Sequence, residues 1–337
     1  MRKLLAIAAV SALALAGCSA ADQKASGDNT ITVLTHDSFN VPDELIKKFE
    51  GETGYQVKTT APGDAGMVFT QLLLNKDAPQ VDVVFGIDNF SAYTAVDEGL
   101  FEDYKPENDP GAEYRIGELS AIDFGDVCLN IDHSYFAEKG IPEPETYEDL
   151  VKPEYQNLTV TTNPTSSSPG LAFFVGSVAK FGDDGWQDYW KQLFANGVKV
   201  DQSWSDAFYT DFTKGDGKGE YPLVVSYASS PAYAAGEFGT VFGTCVRQVE
   251  YAGVIKGAKN PDGAKAFIDF MLSDEFQSII PEEMYMYPVA AVELPAEWTQ
   301  YAKLADDPIV PDAEKIAKNR ESLLKEWTAL FEARVGA

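Results

Sequence analysis

Ile31-Thr-Val-Leu-Thr35, Asn40-Val-Pro42 opening a helix, Tyr55-Gln-Val-Lys-Thr59 and Val81-Asp-Val-Val-Phe85 together decide the fold class. The first stretch alternates as a strand does. The helix after it carries Pro42 in its first turn, Asp43 and Glu44 at its positive end, and Leu45, Ile46 and Phe49 as a buried stripe. Gly51 and Gly54 end it, 55–59 alternates again, 67–76 reads as a second helix and 81–85 as a third strand. The order is β-α-β-α-β, and right-handed crossovers turn it into a parallel sheet covered by helices on both faces. Ligands of such open sheets lie beyond the carboxyl ends of the strands. That rule selects Thr35-His36-Asp37-Ser38, Pro62-Gly63-Asp64-Ala65-Gly66 and Gly86-Ile87-Asp88-Asn89. Glycines there let backbone approach a ligand closely, and the carboxylates of Asp37, Asp64 and Asp88 suit one that carries positive charge or donors. Helix capping explains Asp37 and Asp88 equally well.

Upstream, Arg2-Lys3 precedes an apolar run over 4–15 and then Leu15-Ala16-Gly17-Cys18. A basic pair before an apolar stretch of that length is an export signal, too short to anchor stably across a bilayer. Small residues directly before a cysteine form the cleavage pattern of bacterial lipoproteins, so 1–17 reads as signal peptide and Cys18 as the lipid-bearing N-terminus. Cleavage near Ala20 or Ala21, with an incidental cysteine, is the plainer alternative. Small and polar residues make 18–29 a flexible tether. About 320 residues then remain, more than a single core usually organises, and two lobes are expected. The chain carries a net charge of −27, and losing Arg2 and Lys3 with the signal takes it to about −29. That sign opposes nucleic acid and anionic lipid, leaving the lipid on Cys18 as the expected membrane attachment.

The second lobe begins near Phe124-Gly125-Asp126. Val160-Thr-Thr162 reads as a strand, followed by Asn163-Pro-Thr-Ser-Ser-Ser-Pro-Gly170 and an apolar helix over 171–181, with Ser168 as N-cap and Pro169 as first helical residue. Ser166, Ser167 and the free amides of that turn could hold a phosphate, carboxylate or sulfate, or could simply cap. Ala228-Ser-Ser-Pro-Ala-Tyr233 repeats the device after the strand Tyr221-Pro-Leu-Val-Val-Ser-Tyr227. Trp204 in Ser203-Trp-Ser-Asp206, with Tyr227, Tyr233, Tyr285 and Tyr287, places aromatic rings at or near loops, where they can stack on a planar ring or lie over a cation. Residues 253–257 read as a loop, 260–272 as an amphipathic helix and 311–334 as the closing helix. Cys128 and Cys245 lie in strand-like runs, and export makes a disulfide between them chemically reasonable. Such a bond would stabilise by roughly 3 to 5 kcal/mol on the chain-entropy model. Two buried free thiols, or one reactive thiol, are the alternatives.

Taken in order, Thr35-His-Asp-Ser-Phe39, Val81-Asp-Val-Val-Phe-Gly-Ile-Asp-Asn89, Thr165-Ser-Ser-Ser-Pro-Gly170, Trp204-Ser-Asp-Ala, Ser226-Tyr-Ala-Ser-Ser-Pro-Ala-Tyr233 and Met286-Tyr-Pro-Val-Ala290 resemble the two-lobed solute-binding proteins of ABC importers, and most closely their thiamine-binding branch. The string ending at Tyr233 is the most specific of these. The resemblance implies a type 2 periplasmic-binding-protein fold: two α/β lobes, each a mostly parallel sheet covered by helices, with a ligand cleft between them. The lobes are expected at 30–124 with 249–295, and at 125–248, followed by a helical segment at 296–337. It further implies that Asp64, Ala65, Ser167, Ser168, Trp204, Tyr227, Ala228, Ser229, Ser230, Tyr233 and Tyr285 line the cleft. The rings would hold the aminopyrimidine and the cationic thiazolium, and Ser167 and Ser168 a phosphate where one is present. Three positions depart from the branch: His36 stands where tyrosine is common, Tyr285 where tryptophan is, and Ala65 where glycine is. Its expected partners are thiamine or thiamine phosphate and a permease with its ATPase, the protein acting as a monomer without cofactor.

Two rivals stand beside this. Ferric carriers share the architecture, but His36 and His133 are the only histidines and no ligand spacing stands out. Thiamine-cleaving enzymes resemble the fold too and use a cysteine nucleophile, for which Cys128 is the candidate, whereas a bond to Cys245 would exclude it.

Overall fold

The computed structural model describes residues 29–216 and 219–334. The export signal, Cys18 and all of the tether except Asn29 lie outside the described residues. The first lobe opens with β1 (Thr30–Leu34), α1 (Asp43–Thr53), β2 (Gln56–Thr60), α2 (Ala65–Leu74) and β3 (Val83–Asp88), and both β2 and β3 run parallel to β1. Pro42 is the N-cap of α1 rather than part of its first turn, and Gly51 sits inside the helix. Gly54 ends it in the left-handed conformation at φ 76°, its N–H reaching Glu50 O, as a residue without Cβ does at little cost. α2 starts two residues before Met67 because the Asp64 side chain caps it, accepting from Ala65 N. All six residues of β3 are buried, as a strand covered on both faces requires.

After α3 (Asn89–Asp97) the chain enters β4 (Ser120–Ile131) and passes into the second lobe: α4 (His133–Lys139), β5 (Thr159–Thr162), α5 (Ser168–Phe181), α6 (Trp186–Ala195), β6 (Lys199–Asp201) and β7 (Leu223–Tyr227). It returns along β8 (Gly239–Val254), then continues through α7 (Pro261–Met271), α8 (Asp274–Met284), the short β9 (Tyr287–Pro288), α9 (Ala296–Tyr301) and α10 (Ala313–Ala333). The strand order is β2-β1-β3-β8-β4-β7-β5-β6, with β9 on β4. The outer strands are parallel, but β4 and β8, which cross between the lobes, are antiparallel to each other and to β3 and β7, so the sheet is mixed.

β8 continues through Gly253, where 253–257 reads as a loop from sequence. A Cβ there would come within 2.7 Å of Leu119 and 2.8 Å of Phe101, so the glycine marks close packing in a strand and not a turn. Two bulges shift the β4–β8 register, one between Ala121 and Asp123 and one between Val127 and Leu129. The sulfurs of Cys128 and Cys245 are bonded at the second of them.

Apolar clusters flank each end of the sheet. Phe85, Phe267, Met271 and Phe276 pack on one face of the first lobe, and Val68, Phe69, Val84 and Tyr251 on the other. The second lobe is centred on Phe173, Phe174, Trp186 and Trp190. α10 joins that core through Trp327, fully buried against Trp190 and Phe331. It also reaches the first lobe, where Arg320 lies 4.6 Å over the Phe69 ring.

Candidate ligand-binding cleft

The floor of the interlobe cleft is built by the crossing strands. Asp123 of β4 and Glu250 of β8 are register partners beside the first bulge, and both are buried, at 0% and 4% exposure. Gln248 Nε2 donates to Glu250 Oε1 at 3.1 Å, and the Asp123 and Glu250 carboxyls lie within hydrogen-bonding reach of each other. From the loop after β1, His36 brings its Nε2 to 3.5 Å from Glu250 Oε2. The imidazole fits because residue 86 is glycine at φ 92°: a Cβ there would lie 2.2 Å from His36 Cδ2.

Burial opposes charge on His36, but Glu250, aided by Asp64 and Asp37, outweighs it and raises the imidazole pKa above 6.5. Burial, reinforced by neighbouring Glu250, pushes the Asp123 carboxyl well above its ordinary 3.8. Burial likewise raises the Tyr227 phenol well above 10, with Glu250 and Asp64 adding to it.

Raised pKa values in an imidazole and a carboxyl give one sign of pH dependence, since each group binds its proton more tightly folded than unfolded. The His36 contribution is complete below pH 6.5 and is lost as pH climbs through the raised value. The penalty for burying Asp123 as a carboxylate is absent at low pH and grows as pH rises from 3.8 through its raised pKa. Asp123→Asn is therefore expected to stabilise the ligand-free protein at pH 8 by about 1 kcal/mol or more and to change little at pH 4. Denaturant unfolding at the two pH values checks this, and equal effects at both would refute it.

The walls come from both lobes, which touch. Asp64 accepts from Ala65 N at 2.6 Å through Oδ1 and, across the cleft, from Trp204 N at 3.1 Å through Oδ2. Gly66 N donates to Ser166 O at 3.0 Å, and Ser168 Oγ to Asp88 Oδ2 at 2.7 Å. Trp204 is held by Phe208, stacked at 5.1 Å and 15°, and by its indole N–H on Ser226 Oγ at 2.9 Å. A π-helical turn over Asp206–Asp211 aims Tyr209 edge-on at Trp204, 5.3 Å between centroids. Tyr285 closes α8 at φ 56°, a left-handed conformation uncommon for a bulky side chain and the kind of local cost that clusters at functional sites. Ser229 Oγ donates to its carbonyl at 2.5 Å, and Tyr233 packs edge-on against its ring.

His36, Asp64, Ala65, Ser168, Trp204, Tyr227 and Tyr285 line this cleft of about 460 Å³, a size suited to a small molecule. Ser167, Ala228, Ser229, Ser230 and Tyr233 stand behind its lining. Ser167 is fully buried with its hydroxyl on Asp64, and Ser230 Oγ pairs with Ser226 Oγ at 2.8 Å. Ala228 packs beside the disulfide, and Tyr233 reaches the cleft through Tyr209 and Tyr285. Ser167, not Ser168, is the N-cap of α5, and its side chain does not cap. Asp88 does cap, accepting from Phe90 N and Ser91 N at the start of α3.

Glu250, Tyr209, Met284 and the pair Glu282 and Glu283 also line the cleft without having stood out in sequence, and so does Met286, which opens one of the stretches that carry the resemblance. The available signal for the floor was an acidic residue set inside each of two apolar strands, Asp123 in β4 and Glu250 in β8.

As a buried disulfide sulfur, Cys128 is not the thiolate that a cleaving enzyme needs. Among the described residues no group of three or more His, Cys, Asp or Glu is placed to hold a metal ion, and no helix is long and apolar enough to cross a membrane.

Two lobes around a walled cleft define a solute-binding protein, and residues 78–319 match the model of the bacterial extracellular solute-binding proteins; the chain belongs to that family. The thiamine-binding periplasmic protein of Escherichia coli (strain K12) is 31% identical over 88% of this chain and 92% of its own. A solved periplasmic thiamin binding protein superposes with TM-score 0.76 at 28% identity, covering 89% of this chain and 96% of that one. A ferric binding protein from Campylobacter jejuni reaches TM-score 0.71 over 89% of this chain and 99% of its own, but at 21% identity it shares the fold alone.

Proposed function

We propose that this chain is the thiamine-binding component of an ABC importer. It is exported, cleaved before Cys18 and lipid-anchored there on the outer face of the membrane, and it acts as a monomer that hands intact thiamine to a permease driven by its ATPase. The observation that carries this is the cleft itself, aromatic on its walls and carboxylate on its floor, in a chain so similar to thiamine-binding proteins. In this reading Trp204, Tyr209, Tyr227 and Tyr285 supply ring faces for the aminopyrimidine and the thiazolium. Asp64, which already accepts from Ala65 N, Trp204 N and the Ser167 hydroxyl, has about one acceptor position left for the ring amine, and Glu250 over Asp123 offsets the fixed positive charge. His36 is the further cleft contact.

The lobes, 30–124 with 249–295 and 125–248, close on the ligand as bodies hinged at β4 and β8, giving the permease a shape to recognise. Hydrogen bonds such as Asp64 to Trp204 N and Ser168 to Asp88 support a closed arrangement of this kind.

Calorimetric titration with thiamine is expected to show one-to-one binding, with intact thiamine recovered by mass. No heat would refute the ligand, and cleaved thiamine would refute a carrier. Scattering is expected to give a smaller radius of gyration with saturating thiamine, and identical dimensions would remove closure from the mechanism.

A further inference from the structure

Resting on the thiamine reading, we propose that the cleft floor exchanges a proton for the ligand's fixed positive charge: thiamine enters, the proton shared by Asp123 and Glu250 leaves for solvent, and binding tightens as pH rises. Asp123 and Glu250 are register partners on the two crossing strands, 0% and 4% exposed, with their carboxyls in hydrogen-bonding reach of each other. Among the described residues no amide, hydroxyl or amine donates to either Asp123 oxygen, so the hydrogen that can bridge the two carboxyls is one they hold between them. Two buried carboxyls so placed keep one proton unless a cation stands beside them.

The protein supplies too little positive charge to displace that proton by itself. The titratable groups facing the pair in the cleft are His36 and Asp37 from the loop after β1, Asp64 at the start of α2, Tyr227 of β7, and Glu282, Glu283 and Tyr285 at the end of α8; no lysine or arginine lines it. Arg247, three residues before Glu250 on β8, is paired with Asp126. His36 is the one basic group in reach, 3.5 Å from Glu250, and a single imidazolium leaves the second carboxyl to be neutralised by a proton. Burial favours the protonated form of Asp64 too, but Asp64 accepts from the Ser167 hydroxyl, Ala65 N and Trp204 N, and those donors oppose protonation. Asp123 has none. When a permanent cation arrives, its charge lowers the proton affinity of both floor carboxyls, one O–H bond breaks, and the proton passes to water, leaving Asp123 and Glu250 both ionised against the ligand. By linkage, affinity rises with pH wherever the free pair holds a proton that the bound pair has lost.

The test is calorimetric titration of the whole protein with thiamine in pairs of buffers of unlike ionisation heat, repeated at several pH values between about 5.5 and 8. The heats are expected to differ between buffers, by an amount that reports up to about one proton released per thiamine, and affinity to rise by up to about tenfold per pH unit where release is seen. Asp123→Asn, whose amide stands in for the protonated carboxyl, is expected to bind thiamine without that release and with a flattened pH dependence, and His36→Gln to keep the release. Thiamine binding with buffer-independent heat at every pH would overturn the exchange and leave the thiamine reading intact. Release that persists in Asp123→Asn, or vanishes in His36→Gln, would assign the proton to another group and overturn the role of the pair. If Asp123→Asn does not fold, infrared difference spectra of the unaltered protein read the same event: loss of a protonated-carboxyl C=O band on adding thiamine supports it, and unchanged carboxyl bands overturn it. If thiamine binds at no pH, the thiamine reading fails and this inference falls with it.

Discussion

Replacing Cys128 and Cys245 with serine is expected to lower the unfolding free energy by about 3 to 5 kcal/mol. The bond closes a loop of sequence separation 117, near the upper end of what loop-closure entropy supplies to a single cross-link. It also joins β4 to β8 at a bulge, where the backbone ladder is interrupted. Both sulfurs are fully buried, beside Ala228 and Ala305, so reductant should act slowly on the folded protein and fast once it opens. Guanidinium unfolding of the oxidised, reduced and doubly substituted forms checks this. A reduced protein as stable as the oxidised one would mean that the bond contributes nothing to folding. Equal loss in the reduced and substituted forms would assign the effect to the cross-link and not to the serines.

The second large effect belongs to Trp204. Trp204→Ala removes a side chain that is stacked on Phe208, edge-on to Tyr209 and hydrogen-bonded to Ser226, and it is expected to cost about 3 kcal/mol of stability. Under conditions where the variant remains folded, thiamine affinity is expected to fall by at least about 1 kcal/mol, the scale of a cation held against an indole. Trp204→Phe keeps a ring on Phe208 and loses the bond to Ser226, so it should recover most of the affinity and only part of the stability. Unchanged affinity in Trp204→Ala would remove this residue from the site, whatever happened to stability. The paired readout matters because Trp204 also tethers the lobes through its backbone N–H on Asp64, a contact that neither substitution deletes.

Much of the first lobe is legible in local sequence. The stripe of Leu45 and Phe49, the cap at Asp64 and the glycine at 54 each report on a few neighbouring residues, and the helices and strands they announce are there. Errors were small shifts with local causes: a capping aspartate that starts α2 early, or a glycine at 253 whose purpose is close packing in β8. The aromatic wall was also legible in part, since Trp204, Tyr227 and Tyr285 stand at element ends next to polar residues, where rings can face solvent or ligand. The floor was not. Asp123 and Glu250 are separated by most of the second lobe, and nothing near either one names the other as its partner.

By itself, then, the sequence determined the succession of elements, their caps and amphipathic faces, and an aromatic, acidic character for the loops that meet at the cleft, because each of these depends on periodicity or composition over short spans. Tertiary structure decided which groups meet. Antiparallel pairing of the two crossing strands brought the carboxyls of Asp123 and Glu250 together and carried Cys128 to Cys245, and packing of loops from both lobes turned Ser166, Ser167, Ser168 and Ser229 from free hydroxyls into interlobe and second-lobe ties. The physical reason is that register between strands more than a hundred residues apart is set by which faces can be buried together, and a hydroxyl's availability by which acceptor lies opposite it once they are.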